Sequence, residues 1–329
     1  MRRALCTLAL VLLLAPAARA SQELGGLRVA TSSGTFLKID ISPRAAAMGG
    51  AWTAVAGDAS AAWYNPAGLG QVPARQVFMS YVAWPADVHY ANLLLAMPMP
   101  ALAGTVGLQF GSLGTSVDET DEYHPYGTGR SFRYADWVLG ASYAKAMTTQ
   151  LLLGLSLKYV REDLGSDVGG PVTNTWTVDV GTLYRIDYAN TRIGMSIANF
   201  GPEFKPAGSF WNFTEDKNEE YEGFPPPSTF KLGVAFESWK RYPWILTQTL
   251  EMNHLADNQE TVATGAEFSY MGGLLALRGG YNFMSDTMGL SAGFGANFAF
   301  GAGLAGLDYS FTDGNTLGAI HRWSVRVDF

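Results

Sequence analysis

Over most of its length this sequence alternates. Apolar side chains recur at every second residue, in stretches about ten residues long that are separated by turns. A period of two is the spacing at which successive side chains point to opposite faces of a strand. Between 289 and 300, Leu290, Ala292, Phe294, Ala296, Phe298 and Phe300 share one face, and Gly289, Ser291, Gly293, Gly295, Asn297 and Ala299 the other. At 150–161, Leu151, Leu153, Leu155, Leu157 and Tyr159 oppose Gly154, Ser156 and Lys158. At the end of the chain, His321, Trp323, Val325, Val327 and Phe329 oppose Arg322, Ser324, Arg326 and Asp328. A helix would space its apolar residues three and four apart, and each interior glycine would cost it about 1 kcal/mol. These segments are strands.

Fourteen can be counted, at 76–84, 88–97, 103–112, 131–146, 150–161, 173–185, 190–199, 228–237, 243–252, 259–271, 274–283, 288–300, 303–312 and 319–329. Strands of about ten residues, tilted by about 45°, match the hydrocarbon core of a bilayer. Connections after even-numbered strands are short: 98–102, 147–149, 186–189, 238–242, 272–273 and 301–302. Those after odd-numbered strands are mostly longer, notably 113–130, 162–172 and 200–228. Long loops at one end and tight turns at the other are the asymmetry of a bacterial outer-membrane barrel, and an even strand count predicts both termini on the short-turn, periplasmic side.

A soluble β-sandwich would also alternate, but its outward face must be polar. Here only 16% of residues are charged, against about 25% in ordinary soluble domains, and 48% are apolar or aromatic. The polar face is small and glycine-rich, and the opposite one is almost uniformly Leu, Val, Phe, Trp and Tyr. A lipid-facing exterior around a polar lumen accounts for both. Trp137, Trp176, Trp244 and Trp323, with Tyr143, Tyr159, Tyr184, Tyr281 and Tyr309, are candidates for aromatic girdles at the headgroup boundary. Closure of the sheet is required, because only it satisfies every strand-edge N–H and C=O where water is absent. The expected fold is an all-β transmembrane antiparallel up-and-down β-barrel of about 14 strands, over residues 76–329.

Residues 1–20 read as a secretory signal peptide: Arg2 and Arg3, an apolar stretch from Ala4 to Ala15, and Ala18-Arg19-Ala20 before Ser21. Cys6, the one cysteine, falls inside it, so disulfides, thiolate metal sites and cysteine nucleophiles are excluded from the mature chain. Losing three arginines takes the net charge from −7 to −10, a poor balance for binding nucleic acid. No later stretch reaches the roughly 18 apolar residues of a membrane helix.

Residues 21–75 do not alternate. Ala45-Ala46-Ala47-Met48-Gly49-Gly50-Ala51 is small, Asp58 can cap a short helix over the following alanines, and Trp63-Tyr64-Asn65-Pro66-Ala67-Gly68-Leu69 makes a turn. Small residues permit backbone to approach backbone, and Trp52, Trp63 and Tyr64 argue against a loose tail. The expectation is a luminal hatch or plug. The run from Gly34 to Ile39 through Pro43-Arg44-Ala45, Met48-Gly49-Gly50-Ala51, Asp58-Ala59-Ser60 and Asn65-Pro66-Ala67-Gly68-Leu69 resembles the PorV/PorQ family, itself similar to the FadL-type transporters of hydrophobic compounds. That resemblance implies a fourteen-stranded barrel with an N-terminal hatch carrying Arg44, Met48, Gly49, Gly50, Asp58, Asn65, Pro66, Ala67 and Gly68. It implies outer-membrane residence and, for part of the family, service to type IX secretion. Phe329 ends an aromatic-containing strand and resembles the terminal signal read by the barrel-assembly machinery.

Other motifs dissolve in context. Gly289-Leu290-Ser291-Ala292-Gly293 matches a nucleophile elbow, but that motif needs a strand-to-helix turn and here the alternation runs through it. Gly301-Ala302-Gly303-Leu304-Ala305-Gly306 matches a dinucleotide fingerprint but is followed by a strand where a helix is required. His89, His124, His254 and His321 show no ligand spacing, so no metal and no cofactor are expected. The charges on the inward face are the better lead: Asp136, Lys158, Asp179, Arg185, Arg192, Lys231, Glu267, Arg278, Asp308, Arg322, Arg326 and Asp328. They read as a network anchoring the plug, or as a substrate path. The acidic loops 113–130 and 200–228 read as solvated surface, or, with Trp211, Phe213, Tyr221 and Phe224, as a docking site. A non-enzymatic role follows: in the first place a component or cargo-shuttling partner of type IX protein secretion, as the resemblance implies, and as the alternative a FadL-like transporter of hydrophobic small molecules. The partners expected are outer-membrane lipids, the assembly machinery, and either secreted proteins and other secretion components or a hydrophobic small molecule.

Overall fold

The computed structural model describes residues 29–285, 288–301 and 303–329, without the Phe300 side chain. The leader assigned to residues 1–20 lies outside the described residues. In chain order the strands are β1 (Gln76–Trp84), β2 (Val88–Met99), β3 (Gly104–Asp118), β4 (Ser131–Ala146), β5 (Leu151–Leu164), β6 (Val172–Ile186), β7 (Thr191–Phe200), β8 (Ser209–Asn212) and β9 (Lys217–Glu220). They continue with β10 (Thr229–Arg241), β11 (Trp244–Leu255), β12 (Thr261–Tyr270), β13 (Leu275–Phe283), β14 (Leu290–Phe300), β15 (Gly303–Asp313) and β16 (Ala319–Asp328). All but β8 and β9 form one closed antiparallel barrel of fourteen strands. β16 closes on β1 from Gln76↔Asp328 to Ala83↔His321. The fourteen alternating segments are thus the fourteen staves, each within four residues of its expected bounds except the third, which runs on to Asp118.

The alternation decides which way the wall faces. On β4 and β5, Gly140, Ser142, Ser156 and Lys158 are buried inward, while Leu139 and Leu155 point out at 55% and 54% exposure. Burying a leucine is worth about 1.5–3 kcal/mol, so a surface of such residues all the way round needs an apolar medium. Trp176, Trp244, Trp323, Tyr143, Tyr184 and Tyr281 are exposed on this outer face, and Trp137, Tyr159 and Tyr309 half-exposed. Among the described residues no helix is long and apolar enough to cross a membrane, which says nothing of strands.

Two departures have physical causes. β3 and β4 stay paired up to Asp118↔Ser131, several residues beyond the expected end of the third strand. Past Ser112 the apolar residues Leu113 and Val117 take the inward parity and Gly114, Ser116 and Asp118 the outward one, the reverse of the wall below, so the alternation breaks off while the backbone ladder goes on. The 200–228 loop holds the β8–β9 hairpin, whose Phe210 and Trp211 are successive residues on opposite faces and so left no period to find.

The lumen is filled by the chain's own start. Two short helices, α1 (Pro43–Ala47) and α2 (Ala61–Tyr64), and 3₁₀ turns at Thr35–Lys38 and Pro66–Gln71 lie between residues 33 and 72, most of them fully buried. Proline suits the first turn of α1, whose N–H groups lack helical partners, and Gly49 and Gly50 end it at φ 69° and 86°. Asp58 does not cap α2, whose N-cap is Ser60; its Oδ1 accepts from the Ser60 amide (3.0 Å) in a tight turn. Of the two termini expected on the short-turn side, the first lies outside the described residues. Phe329 does lie on that side, its amide donating to Arg75 O (2.9 Å). Residues 32–38 instead bond to Glu162, Pro225 and Asp257 at the long-loop end. Strand parity fixes only the strands; the segment before them crosses the lumen from one end to the other.

Candidate functional site

Glycines set into the wall receive the N-terminal segment. A Cβ on Gly280 of β13 would lie 2.2 Å from the Met48 carbonyl carbon, and one on Gly265 of β12 2.6 Å from Met48 O. Gly49 answers in kind: its Cβ would meet Tyr281 N at 2.8 Å. On the other side of the lumen, Cβ atoms at Gly154 and Gly181 would strike Ala67 N (2.2 Å) and Asn65 Oδ1 (2.0 Å). Asn65 is fully buried. Its Nδ2 donates to Thr53 O (2.9 Å) and to Thr182 O in the wall (3.0 Å), and its Oδ1 accepts from Ala67 N (3.2 Å). Pro66 opens the 3₁₀ turn that Asn65 caps, Ala67 packs on Leu152 and Leu183, and Gly68 passes Ala56 O too closely for any Cβ.

Toward the short turns, charge replaces backbone packing. Arg44 Nη1 meets Asp58 at 2.7 Å and its Nη2 lies 3.6 Å from Glu267. Arg278 joins Glu267 (2.6 Å) and Asp308 (2.7 Å), so two guanidinium groups share three carboxylates. Arg44 also lies over the Trp52 ring, 4.9 Å from its centroid. Burial would raise the Asp58 carboxyl, but Arg44 and the Ser60 hydroxyl outweigh it and hold Asp58 below the usual carboxylate range. Burial likewise opposes the charge of Arg44, and Glu267, Asp58 and Asp308 raise its pKa regardless.

The remaining inward charges divide. Lys158 and Asp179 form a pair at 2.8 Å with side chains 2% and 1% exposed. Lys158 also donates to Asn199 Oδ1 and sits 5.7 Å from the Trp63 ring. Arg326 bonds Asn297 (3.0 Å) and Asp328 (3.2 Å). Arg322, fully buried, donates to Asp40 O (2.8 Å) and Thr312 Oγ1 (2.9 Å). Asp136 accepts from Tyr134 Oη (2.7 Å) and makes no ion pair among the described residues. Arg185 departs from the expected network: at the short-turn rim it donates to Thr149 O (2.8 Å), because the end of β6 puts it below the filled lumen.

Three anchors were not legible beforehand. Glu162 accepts from the Ser33 hydroxyl (2.8 Å) and Gly34 N (2.7 Å), Glu251 from Thr53 N (2.8 Å), and Asp257 from Lys38 Nζ (2.6 Å). Glu251, a lone acid on the inward face of a strand, carried a usable signal. Glu162 and Asp257 fall where alternation ends and carried none.

Between the charge network and the long loops lies an apolar layer. Phe36 and Trp63 of the segment meet Tyr90 of the wall edge-on, at 6.0 and 6.1 Å, amid Leu113, Val138, Val160, Ile320 and Phe204. Phe204 brings the 200–228 loop down onto Gly34. Deeper in, a cavity of about 20 Å³ beside Asp40, Asn282 and Arg322 has room for about one water, not for an aromatic ring. Among the described residues no group of three or more His, Cys, Asp or Glu is placed to hold a metal. Ser291 stands mid-strand, bonded to Thr312 (3.2 Å).

A closed barrel of fourteen strands whose N-terminal helical segment lies inside it is the FadL-like fold. Two solved structures share it over 87% of this chain and 96% of their own: the Ralstonia pickettii toluene transporter TbuX (TM-score 0.57, 13% identity) and the P. putida toluene transporter TodX (TM-score 0.56, 14% identity). A Pseudomonas aeruginosa FadL homologue matches over 88% of this chain and 98% of its own, with a TM-score of 0.52 at 11% identity. At such identities the likeness is one of fold. No protein-family model and no curated protein matches the sequence, so the similarity to the PorV/PorQ family rests on the motif alone.

Proposed function

We propose that this is a non-enzymatic channel of the bacterial outer membrane that passes hydrophobic small molecules, with residues 29–75 as its plug. The observation that carries the reading is the apolar layer of Phe36, Trp63 and Tyr90 within the lumen, directly under the long loops. An aromatic or aliphatic solute gains about 25 cal/mol for each Å² of its surface removed from water there. The toluene transporters that share the fold support the same class of solute. The barrel exterior supports membrane residence, and long loops outside with short turns in the periplasm is the arrangement of its class. The wall glycines and the Arg44–Asp58–Glu267 cluster hold the plug, which must shift for a solute to pass.

Uptake of labelled toluene into vesicles carrying the purified protein tests this. Flux is expected above that of protein-free vesicles, to change when residues 34–69 are deleted, and to fall in Trp63→Ala. Flux equal to the empty vesicles, or indifferent to the deletion, refutes it. The motif similarity to the PorV/PorQ family favours a second reading, service to type IX secretion. Its docking surface would be the β8–β9 hairpin, where Trp211 and Phe213 are exposed. Co-purification of secreted proteins sharing a C-terminal sorting domain would support it.

A further inference from the structure

The outer wall carries a polar device that the passage of solutes does not use. At the seam where the barrel closes, Ala83 of β1 is in register with His89 of β2 on one side and His321 of β16 on the other. One row nearer the barrel's mid-height come Tyr81, Trp323 and Tyr309, paired Tyr81↔Trp323 and Tyr309↔Trp323. Each histidine is tied to a tyrosine of that row: Tyr81 Oη to His89 Nδ1 at 2.7 Å, and Tyr309 Oη to His321 Nδ1 at 2.8 Å. The rings stack as well, His89 on Tyr81 (5.8 Å) and His321 on Tyr309 (6.2 Å) and Trp323 (6.0 Å). A phenol is the stronger acid and an imidazole nitrogen the stronger base, so we assign the hydroxyls as donors. Each neutral ring then carries its proton on Nε2, which has no partner among the described residues.

His89 and His321 thus flank Ala83, each with an Nε2 unpartnered among the described residues. Two strand spacings put the histidines ~10 Å apart, and the Ala83 methyl leaves a notch between them. Below the aromatic row the wall turns aliphatic, with Leu93, Met79, Val325 and Leu307 in register and exposed. Down this strip the order is donor pair, aromatic ledge, aliphatic slope. That is the polarity of an amphiphile lying along the barrel. We infer that the notch binds the phosphate headgroup of a membrane lipid, its acyl chains lying over Met79 and Val325. An ionised phosphate oxygen is the acceptor that two neutral N–H groups serve best, since a charge on one partner roughly doubles the strength of a hydrogen bond. The carboxylate at the loop end of the neighbouring strand, Asp313, is engaged by the Asn315 amide (3.0 Å).

The inference rests on the wall facing lipid, and the test keeps the two apart. Detergent-purified wild type, the double variant His89→Ala/His321→Ala, and Ala83→Leu, which fills the notch and keeps both histidines, are each titrated with phosphatidylglycerol. A galactolipid with the same acyl chains and inorganic phosphate are the controls, and native mass spectrometry reads the lipid retained. Wild type should hold phosphatidylglycerol about tenfold or more tightly than either variant, as two charge-assisted hydrogen bonds require. Galactolipid retention should be alike in all three, and each should run as a folded, heat-modifiable barrel. Equal phosphatidylglycerol retention across the three, or its displacement by millimolar inorganic phosphate, overturns the site. A wild type that stays dissolved without detergent overturns the membrane reading instead.

Discussion

Gly280→Ala is the sharpest test of how the N-terminal segment is held. The new Cβ would lie 2.2 Å from the Met48 carbonyl carbon, 2.3 Å from Gly49 N and 2.7 Å from Met48 Cα. Ordinary contact begins at 3.4 Å, so the backbone of residues 48–49 must retreat by the difference, 1.2 Å. No rotamer change can absorb this, because the obstruction is main chain on both sides. Gly49 cannot yield either, since it already lies against Tyr281 N in a left-handed conformation. Overpacking of this kind costs about 1–3 kcal/mol. If the cost falls on the docked state of the segment, its released population rises roughly 5- to 150-fold. Limited trypsinolysis in detergent reads that population when opening is fast relative to cleavage. The bonds after Lys38 and Arg44, part-buried in the docked segment, should be cut faster by that factor while the barrel stays heat-modifiable. Gly279→Ala is the control one residue away: its Cβ would meet nothing nearer than Ser291 O at 4.0 Å, and cleavage should match wild type. Equal protection in Gly280→Ala and Gly279→Ala would refute backbone docking as the means of attachment.

Other perturbations reach other anchors. Lys158→Met leaves Asp179 buried without its cation and should cost about 3–5 kcal/mol of unfolding stability in a denaturant titration, most of it restored by Lys158→Met/Asp179→Leu. Asp58, held below the ordinary carboxylate range, contributes stability that is complete above that range and lost as the pH falls through its depressed value. Acid titration of the Trp52 fluorescence should therefore show a transition below the usual carboxylate range, and Asp58→Asn should remove it. Asn65→Leu deletes two donated hydrogen bonds to buried carbonyls and should lower stability by about 1–3 kcal/mol for each acceptor left bare, seen as a lower midpoint of unfolding.

The barrel was legible because a membrane wall writes its chemistry in a single period. Leu139, Leu155 and Leu277 have to meet hydrocarbon, and Gly140, Ser156 and Arg278 have to meet the lumen, so position modulo two decides each residue. Where water bathes both faces, as at Thr115–Asp118 and in the β8–β9 hairpin, that constraint lapses and the strands became invisible. The motif residues from Arg44 to Gly68 could be picked out as unusual, but not what they touch. Gly154, Gly181, Gly265 and Gly280 look like weak strand positions, and their value emerges only when a distant backbone is laid against them. Arg185 shows the converse error: it has the right parity, but parity carries no information about height along the lumen.

The path of residues 29–75 bears on biogenesis. β1 starts where the segment ends, and β1 is one lip of the seam that β16 shuts, with Phe329 hydrogen-bonded to Arg75 beside it. A cord already lying across the sheet when the seam zips up is enclosed at no extra entropic penalty. One left outside would have to be fed end-first through a finished cylinder, past glycine seats too shallow to admit it sideways. Closing the wall and stoppering it are then a single event, and a mutation that unseats the cord will show itself as a defect in maturation before it shows itself as a leak.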